Sequence, residues 1–145
     1  MFAFVGPYLP LDAHFAIGNF IGDGLAGRAL QVQGDGTAVR SYLYGSDMAI
    51  WLWRIFTHGK DGRAYNVGSE HAIPIAELAA RVAEAFEPPP VVQIRGESVA
   101  GAGSRYVPST ARARGELGLE QRIDLATAIR RTIAWHRARA GDERR

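Results

Sequence analysis

The segment that decides the fold reads Gln31-Val-Gln-Gly-Asp-Gly-Thr-Ala-Val-Arg-Ser-Tyr-Leu-Tyr-Gly-Ser-Asp47. Its apolar alternation predicts two strands, Leu30–Gln33 and Val39–Tyr44, joined through a Gly-Asp-Gly turn as in a hairpin. Arg40 follows that turn and heads the aromatic second strand. Because a guanidinium presents planar, forked donors, an arginine at this position suits a phosphate ligand.

Strands and helices alternate along the rest of the chain, which predicts an α/β fold. The other predicted strands are Phe2–Val5, Ala64–Val67 and Val91–Ile94, of which the first is apolar on both faces and suits a parallel sheet. The predicted helices cover residues 14–27, 46–58, 75–86, 108–117 and 124–138, with Ser46-Asp47 and Asp124 as N-terminal caps. We expect one domain over residues 1–140, with a mobile glycine-rich loop at 96–103 and a disordered tail at 141–145.

Composition limits the class of protein. The 145 residues, with 47% hydrophobic and 22% charged side chains, have the balance of one ordinary soluble domain. Sixteen arginines accompany a single lysine, and the net charge is only +2. There is no cysteine, and the four histidines are far apart, so we expect neither a disulfide nor a metal site. No signal peptide or membrane span is apparent, and the expected location is cytoplasmic.

The helix predicted for residues 46–58 is apolar nearly all round, which predicts burial between two layers. Its aromatic residues Trp51, Trp53 and Phe56 allow a second interpretation, a stacking platform for single-stranded nucleic acid. Core or interface packing is the favoured one.

One apparent motif is rejected. Gly22-Asp-Gly-Leu-Ala-Gly27 matches G-x-G-x-x-G, the fingerprint of dinucleotide binding. That fingerprint works where a strand enters a tight turn and a helix leaves it, so that the helix N-terminus faces the pyrophosphate. These glycines lie at the end of a predicted helix, so no NAD binding is expected from them.

Together with Val5-Gly-Pro7 and Ala64-Tyr-Asn-Val-Gly68, the 31–47 segment resembles the second half of the extended short-chain dehydrogenase/reductases. The resemblance is to the NAD-dependent nucleotide-sugar epimerases and dehydratases, on the dTDP-glucose 4,6-dehydratase side. It implies a substrate-binding subdomain together with the last strands and helices of a Rossmann sheet. In that family the first half carries the NAD fingerprint and a catalytic tyrosine four residues before a lysine. Here Phe56 stands four residues before Lys60, the one lysine, so we expect no catalytic residue and no cofactor in this chain.

The resemblance also implies ligand-binding residues. Arg40 and Arg105 match arginines that grip the nucleotide diphosphate in the family, and Asn66 matches an asparagine that helps to hold it. The alternative for Arg40 is an ion pair with a surface carboxylate such as Asp35 or Asp47, and the alternative for Asn66 is a turn-forming role at a strand end.

Val32 and Gln33 match the strand whose backbone meets the base in the family. Tyr42 follows Arg40 at a place where the family usually has an aromatic residue, and core packing is its alternative. Ala3 and Ser41 depart from the family pattern, since an asparagine and an aspartate are common at those places.

The leading interpretation is a sugar-nucleotide-binding portion of such an enzyme, inactive alone. Its partners would be a nucleoside-diphosphate sugar and either a missing N-terminal half or further copies of itself. The alternative is a non-enzymatic module that oligomerises or binds a partner through apolar surface left uncovered. A third interpretation, an arginine-rich nucleic-acid binder, is disfavoured because acidic residues are interspersed among the arginines of the C-terminal third.

Overall fold

The computed structural model describes residues 2–13, 15–96 and 104–142. The helices are α1 (Ala16–Leu25), α2 (Gly45–His58), α3 (Ile75–Ala83), α4 (Ala111–Leu117) and α5 (Leu125–Asp142). The strands are β1 (Phe4–Val5), β2 (Leu30–Val32), β3 (Val39–Arg40), β4 (Leu43–Tyr44), β5 (Ile73–Pro74) and β6 (Val92–Ile94). The predicted α/β class is confirmed.

The described strands form three two-stranded sheets. Strands β1 and β4 are parallel, with Phe4 opposite Leu43, and β2 and β6 are parallel, with Leu30 opposite Val92. The third pair, β3 and β5, is antiparallel. Two of the three pairs are therefore of the parallel kind that needs a crossover connection, as an α/β chain predicts.

The hairpin predicted around Gly34-Asp-Gly36 is wrong. Strand β2 pairs with β6, about sixty residues further on, whereas β3 pairs with β5. Gly36 has a φ of +74° and lies against the start of α3, where a Cβ would come within 2.7 Å of the Ala76 side chain. The glycine is therefore required by the close approach of α3 rather than by a hairpin.

Helix α1 contains the G-x-G-x-x-G sequence, and its glycines have packing roles. A Cβ on Gly24 would lie 2.4 Å from the Phe86 ring, so the ring packs directly on the helix backbone. Gly27 has a φ of +68°, and the amide of Arg28 donates to the Asp23 carbonyl at 2.9 Å in a Schellman closure. The motif ends a helix, as predicted, instead of beginning one.

The core has two parts. The larger part lies where α1, α3 and α5 pack around β2, with Phe20, Leu30 and Leu78 fully buried. The smaller part joins α2 to α4 and its flanks, through Trp51 and Leu117 among others.

The composition of helix α2 predicted burial between two layers, and this prediction is wrong. Among its residues only Asp47 and Trp51 are buried. Asp47 does not cap the helix: its carboxylate accepts hydrogen bonds from the backbone amides of Arg122 and Ile123, both at 2.9 Å. The opposite side of α2 is exposed although it is apolar, because no other described segment covers it.

Other boundaries also differ from the prediction. Residues 64–67 form no strand, although the Phe2 amide donates to the Val67 carbonyl at 2.9 Å. Strand β5 was not predicted, and α3 ends at Ala83 rather than at residue 86.

Asp124 caps α5 through the Thr127 amide, as predicted, and the helix includes residues 141 and 142 of the predicted tail. Residues 97–103 of the predicted loop and 143–145 of the tail lie outside the described residues.

No described helix combines the length and the apolar character that crossing a membrane would require.

Candidate functional site

A cleft of about 640 Å³ opens between β1, the start of α1 and the carboxyl ends of β2 and β3. Its aromatic lining comes from Phe2, Phe4, Phe15, Phe20, Tyr42 and Tyr106. Its polar lining comes from Asn19, Gln31, Gln33 and Arg40. A largely apolar cleft with a few polar groups and one cation is typical of a small-molecule site.

Arg40 is the cation of this cleft, and its guanidinium is held by backbone and hydroxyl oxygens. One terminal nitrogen donates to the carbonyls of Val39 and Ser104 at 2.8 and 2.7 Å, and the other donates to the Ser104 hydroxyl at 2.9 Å. Among the described residues Arg40 forms no ion pair and donates to no carboxylate. The guanidinium is therefore oriented, and no carboxylate of the described residues neutralises its charge.

Neither carboxylate that was considered as a partner for Arg40 bonds to it. Asp47 receives the two backbone amides that follow α4, and Asp35 accepts hydrogen bonds from the amide and hydroxyl of Thr37 at 3.0 and 2.7 Å. Asp35 therefore stabilises the turn before β3, and Arg40 is left to line the cleft.

Tyr42 and Gln33 line the same cleft as Arg40. Burial raises the pKa of the Tyr42 hydroxyl to about 12, and the charge of Arg40 offsets only part of that effect. Tyr42 is therefore a neutral hydroxyl at physiological pH. Val32 is fully buried in the core and does not line the cleft. The neighbouring Ser41 is buried too, and its hydroxyl has no partner among the described residues.

Tyr106 and Phe2 form an aromatic pair at the rim of the cleft that sequence reasoning missed. Their ring centroids are 4.6 Å apart, and Tyr106 is about half exposed. The amide of Tyr106 donates to the Val39 carbonyl at 3.0 Å, which fixes this segment beside β3. The sequence signal that could have found Tyr106 is its position directly after Arg105. Neighbouring residues of an extended segment point to opposite sides, so an exposed Arg105 leaves Tyr106 on the side of the cleft.

Arg105 and Asn66 do not line the cleft. Arg105 is exposed, and its backbone pairs with Val39 in an isolated parallel bridge, one residue away from Arg40. The Asn66 side chain donates to the Ser109 carbonyl at 3.0 Å and links two loops. Of the six predicted binding residues, the structure thus brings Gln33, Arg40 and Tyr42 together and leaves the other side chains outside the cleft.

Glu70 forms a second polar cluster at the start of α4. Its carboxylate accepts the Thr110 amide and, at 3.0 Å, a guanidinium hydrogen of Arg114. The Thr110 amide bond is the main reason why the pKa of Glu70 lies below its ordinary value, with Arg114 adding to it. These contacts hold α4 to the loop after residue 66. Within the described ranges, no three histidine or acidic side chains come together as metal ligands.

Comparison with known proteins finds similarity to the NAD-dependent epimerases and dehydratases. Residues 1–68 match the family described as the NAD dependent epimerase/dehydratase family. The UDP-glucuronic acid decarboxylase 5 of Arabidopsis thaliana is 32% identical over 124 residues, which are 86% of this chain and 36% of that protein. A dTDP-glucose 4,6-dehydratase of Streptomyces antibioticus is 30% identical over 123 residues, covering 81% of this chain and 35% of the relative.

Among solved structures, an epimerase of Methanothermobacter thermautotrophicus superposes with a TM-score of 0.85 and 26% identity, over 99% of this chain and 43% of that chain. The chain is thus related to the NAD-dependent epimerase/dehydratase family, and the predicted resemblance is confirmed. It spans little more than a third of the length of the curated relatives that it matches.

Proposed function

We propose that this chain binds the diphosphate of a nucleotide sugar in the cleft, with Arg40 as the principal phosphate ligand. The observation that carries the proposal is the geometry of Arg40. Its guanidinium lines an aromatic cleft, is oriented by Ser104, and has no carboxylate partner among the described residues. A fixed, uncompensated guanidinium is suited to two oxygens of a phosphate.

The names of the relatives support the class of ligand. A UDP-glucuronic acid decarboxylase and a dTDP-glucose 4,6-dehydratase are both named for a nucleoside-diphosphate sugar. In this chain the aromatic side chains of the cleft would contact the base and sugar, and Tyr42 would offer a neutral hydroxyl. Arg105 and Asn66 remain proposed diphosphate ligands that would have to turn toward the ligand, Arg105 from an exposed position and Asn66 from its bond to Ser109.

We propose further that the chain contributes binding and orientation, and no NAD-dependent step by itself. Its glycine sequence lies at the end of α1, where the helix dipole disfavours phosphate. The one lysine of the sequence, Lys60, has Phe56 four residues before it, so the sequence has no tyrosine–lysine pair with the family's spacing. Isothermal titration of the chain with NAD is expected to give no binding heat, and micromolar affinity would contradict this part of the proposal.

The binding proposal is tested by saturation-transfer NMR with UDP-glucose and dTDP-glucose. Two charge-assisted contacts contribute roughly 1.5–3 kcal/mol each before ordering costs, so we expect millimolar to high-micromolar affinity. Arg40→Ala should abolish the signals, and Arg40→Lys should weaken them almost as much because an ammonium cannot make the two-pronged contact.

Arg28→Ala is the matched control for the loss of a positive charge. Arg28 pairs with Asp23 at 2.8 Å and does not line the cleft, so this variant should bind as the unaltered chain does. Unchanged signals in Arg40→Ala, or an equal loss in Arg28→Ala, would overturn the proposal.

A further inference from the structure

Tyr8 presents an aromatic ring to solvent from a strained turn. The turn is closed by the Leu9 amide, which donates to the Gly6 carbonyl at 3.2 Å. Tyr8 has a φ of +63°, in the left-handed region that glycine adopts easily and a bulky residue does not. The residue is nevertheless 75% exposed, so burial in the core does not offset the strain. The turn therefore holds a ring at the surface at a cost in stability.

The ring of Tyr8 rests on helix α5. It packs against Trp135, which is partly exposed, with centroids 4.5 Å apart. The guanidinium of Arg139 lies 5.8 Å from the centroid of Tyr8 and 5.5 Å from that of Trp135. Arg131 precedes Trp135 by four residues and Arg139 follows it by four, so the three side chains lie along one side of the helix. We call Tyr8, Arg131, Trp135 and Arg139 the Tyr8 platform.

The helix that carries this platform is basic. Residues 125–142 include four arginines, and the one acidic residue among them is Asp142, at the last position. Glu116, earlier in the chain, pairs with Arg63, and Asp124 caps α5 through the Thr127 amide. Neither of these carboxylates is a partner of Arg131, which forms no ion pair with any described residue. The acidic residues interspersed in the sequence therefore leave the positive charge of Arg131 uncompensated.

We propose that the Tyr8 platform binds single-stranded nucleic acid, with a base stacked on Tyr8 and the adjacent phosphates on Arg131 and Arg139. Aromatic rings beside guanidinium groups bind single strands without reading their sequence, because every base has a π-face. The two arginines are about 12 Å apart along the helix axis, which leaves room for a base between them. The proposal does not depend on nucleotide-sugar binding, because none of these four residues lines the cleft.

Fluorescence anisotropy of labelled oligothymidylate and oligouridylate tests the proposal on the 145-residue chain. Binding should weaken as salt is raised, with a slope of log affinity against log salt of about −1.4 for two phosphate contacts. A single strand should bind roughly fivefold or more tightly than a duplex of the same length, whose bases are already stacked. Binding of both strands, or of only one, supports the proposal and identifies the sugar backbone that the platform accepts.

Tyr8→Gly separates a binding role from a structural one. Glycine adopts the backbone conformation of position 8 without strain, so circular dichroism should show a folded chain. Loss of the stacked base should nevertheless weaken single-strand binding by about fivefold to a hundredfold. Tyr8→Phe keeps the ring and should bind as the unaltered chain does.

Arg139→Ala should also weaken binding, and it should make the salt slope shallower by about 0.7. Arg28→Ala is the matched control, because Arg28 pairs with Asp23 at 2.8 Å and belongs to neither the platform nor the cleft. It should bind as the unaltered chain does, and so should Arg40→Ala, whose altered residue lies in the cleft.

Five results would overturn the proposal. They are an absence of binding at low salt, equal affinity for the duplex, full binding by Tyr8→Gly, an equal loss in Arg28→Ala, and a loss in Arg40→Ala. The last result would mean that the strand occupies the cleft instead of the Tyr8 platform.

Discussion

Ser104 holds the guanidinium of Arg40 with two oxygens: its carbonyl accepts one terminal nitrogen at 2.7 Å and its hydroxyl accepts the other at 2.9 Å. The two residues are 64 positions apart, and the pairing of Val39 with the 104–106 segment brings them together. The orientation of the proposed phosphate ligand thus depends on a segment distant in sequence.

Ser104→Ala is therefore expected to weaken nucleotide-sugar binding without abolishing it. The variant removes one neutral acceptor, a contact of about 0.5–1.5 kcal/mol, and keeps the carbonyl. Affinity should fall roughly two- to tenfold in the saturation-transfer titration, clearly less than for Arg40→Ala. If Ser104→Ala bound as weakly as Arg40→Ala, the serine would be a ligand itself and not a positioning residue.

Gly24→Ala should destabilise the chain, against the usual helix preference. Alanine in a helix is normally favoured over glycine by about 1 kcal/mol. At position 24 its Cβ would lie 2.4 Å from the Phe86 ring, which must move, so a net loss of about 1–3 kcal/mol in the free energy of unfolding is expected.

The control for Gly24 is Gly115→Ala in α4, where a Cβ would meet no atom within 4 Å. This variant should be stabilised by up to about 1 kcal/mol in the same urea titration. Equal effects at the two positions would show that the Phe86 contact does not constrain α1.

Asp47→Ala should be strongly destabilising, because the Arg122 and Ile123 amides would lose their common acceptor inside the protein. We expect a loss of roughly 2–4 kcal/mol. Asp47→Asn retains a carbonyl oxygen in the same place and should cost about 1 kcal/mol. Urea unfolding followed by circular dichroism measures both, and an asparagine variant as unstable as the alanine variant would mean that the negative charge, not the acceptor, is what matters.

Much of the fold could be predicted from local sequence. The helices followed from apolar periodicity, and the cap at Asp124 followed from residue type. Strand partners could not be predicted in this way. The Gly34-Asp-Gly36 turn has hairpin chemistry, yet β2 pairs with β6 because register depends on contacts between distant residues.

Helix α2 illustrates a second limit. Its apolar composition predicts that both sides are covered, but the structure buries only the side that carries Asp47 and Trp51. Periodicity cannot tell which of the apolar sides the rest of the chain covers. Within the candidate site, Arg40 could be predicted from its place after the turn. Tyr106 and Asn19 could not, because they enter the cleft only through the pairing of distant segments.

The central claim, that the cleft around Arg40 binds a nucleoside diphosphate, is tested most directly by mapping amide shifts of the ¹⁵N-labelled chain during titration with UDP. The account predicts that the largest shifts fall on Gln33, Arg40, Tyr42 and Tyr106, with α2 unaffected, and that Arg40→Ala removes them. Shifts centred instead on the cluster around Glu70 and Arg114, or no shifts at millimolar UDP, would contradict it.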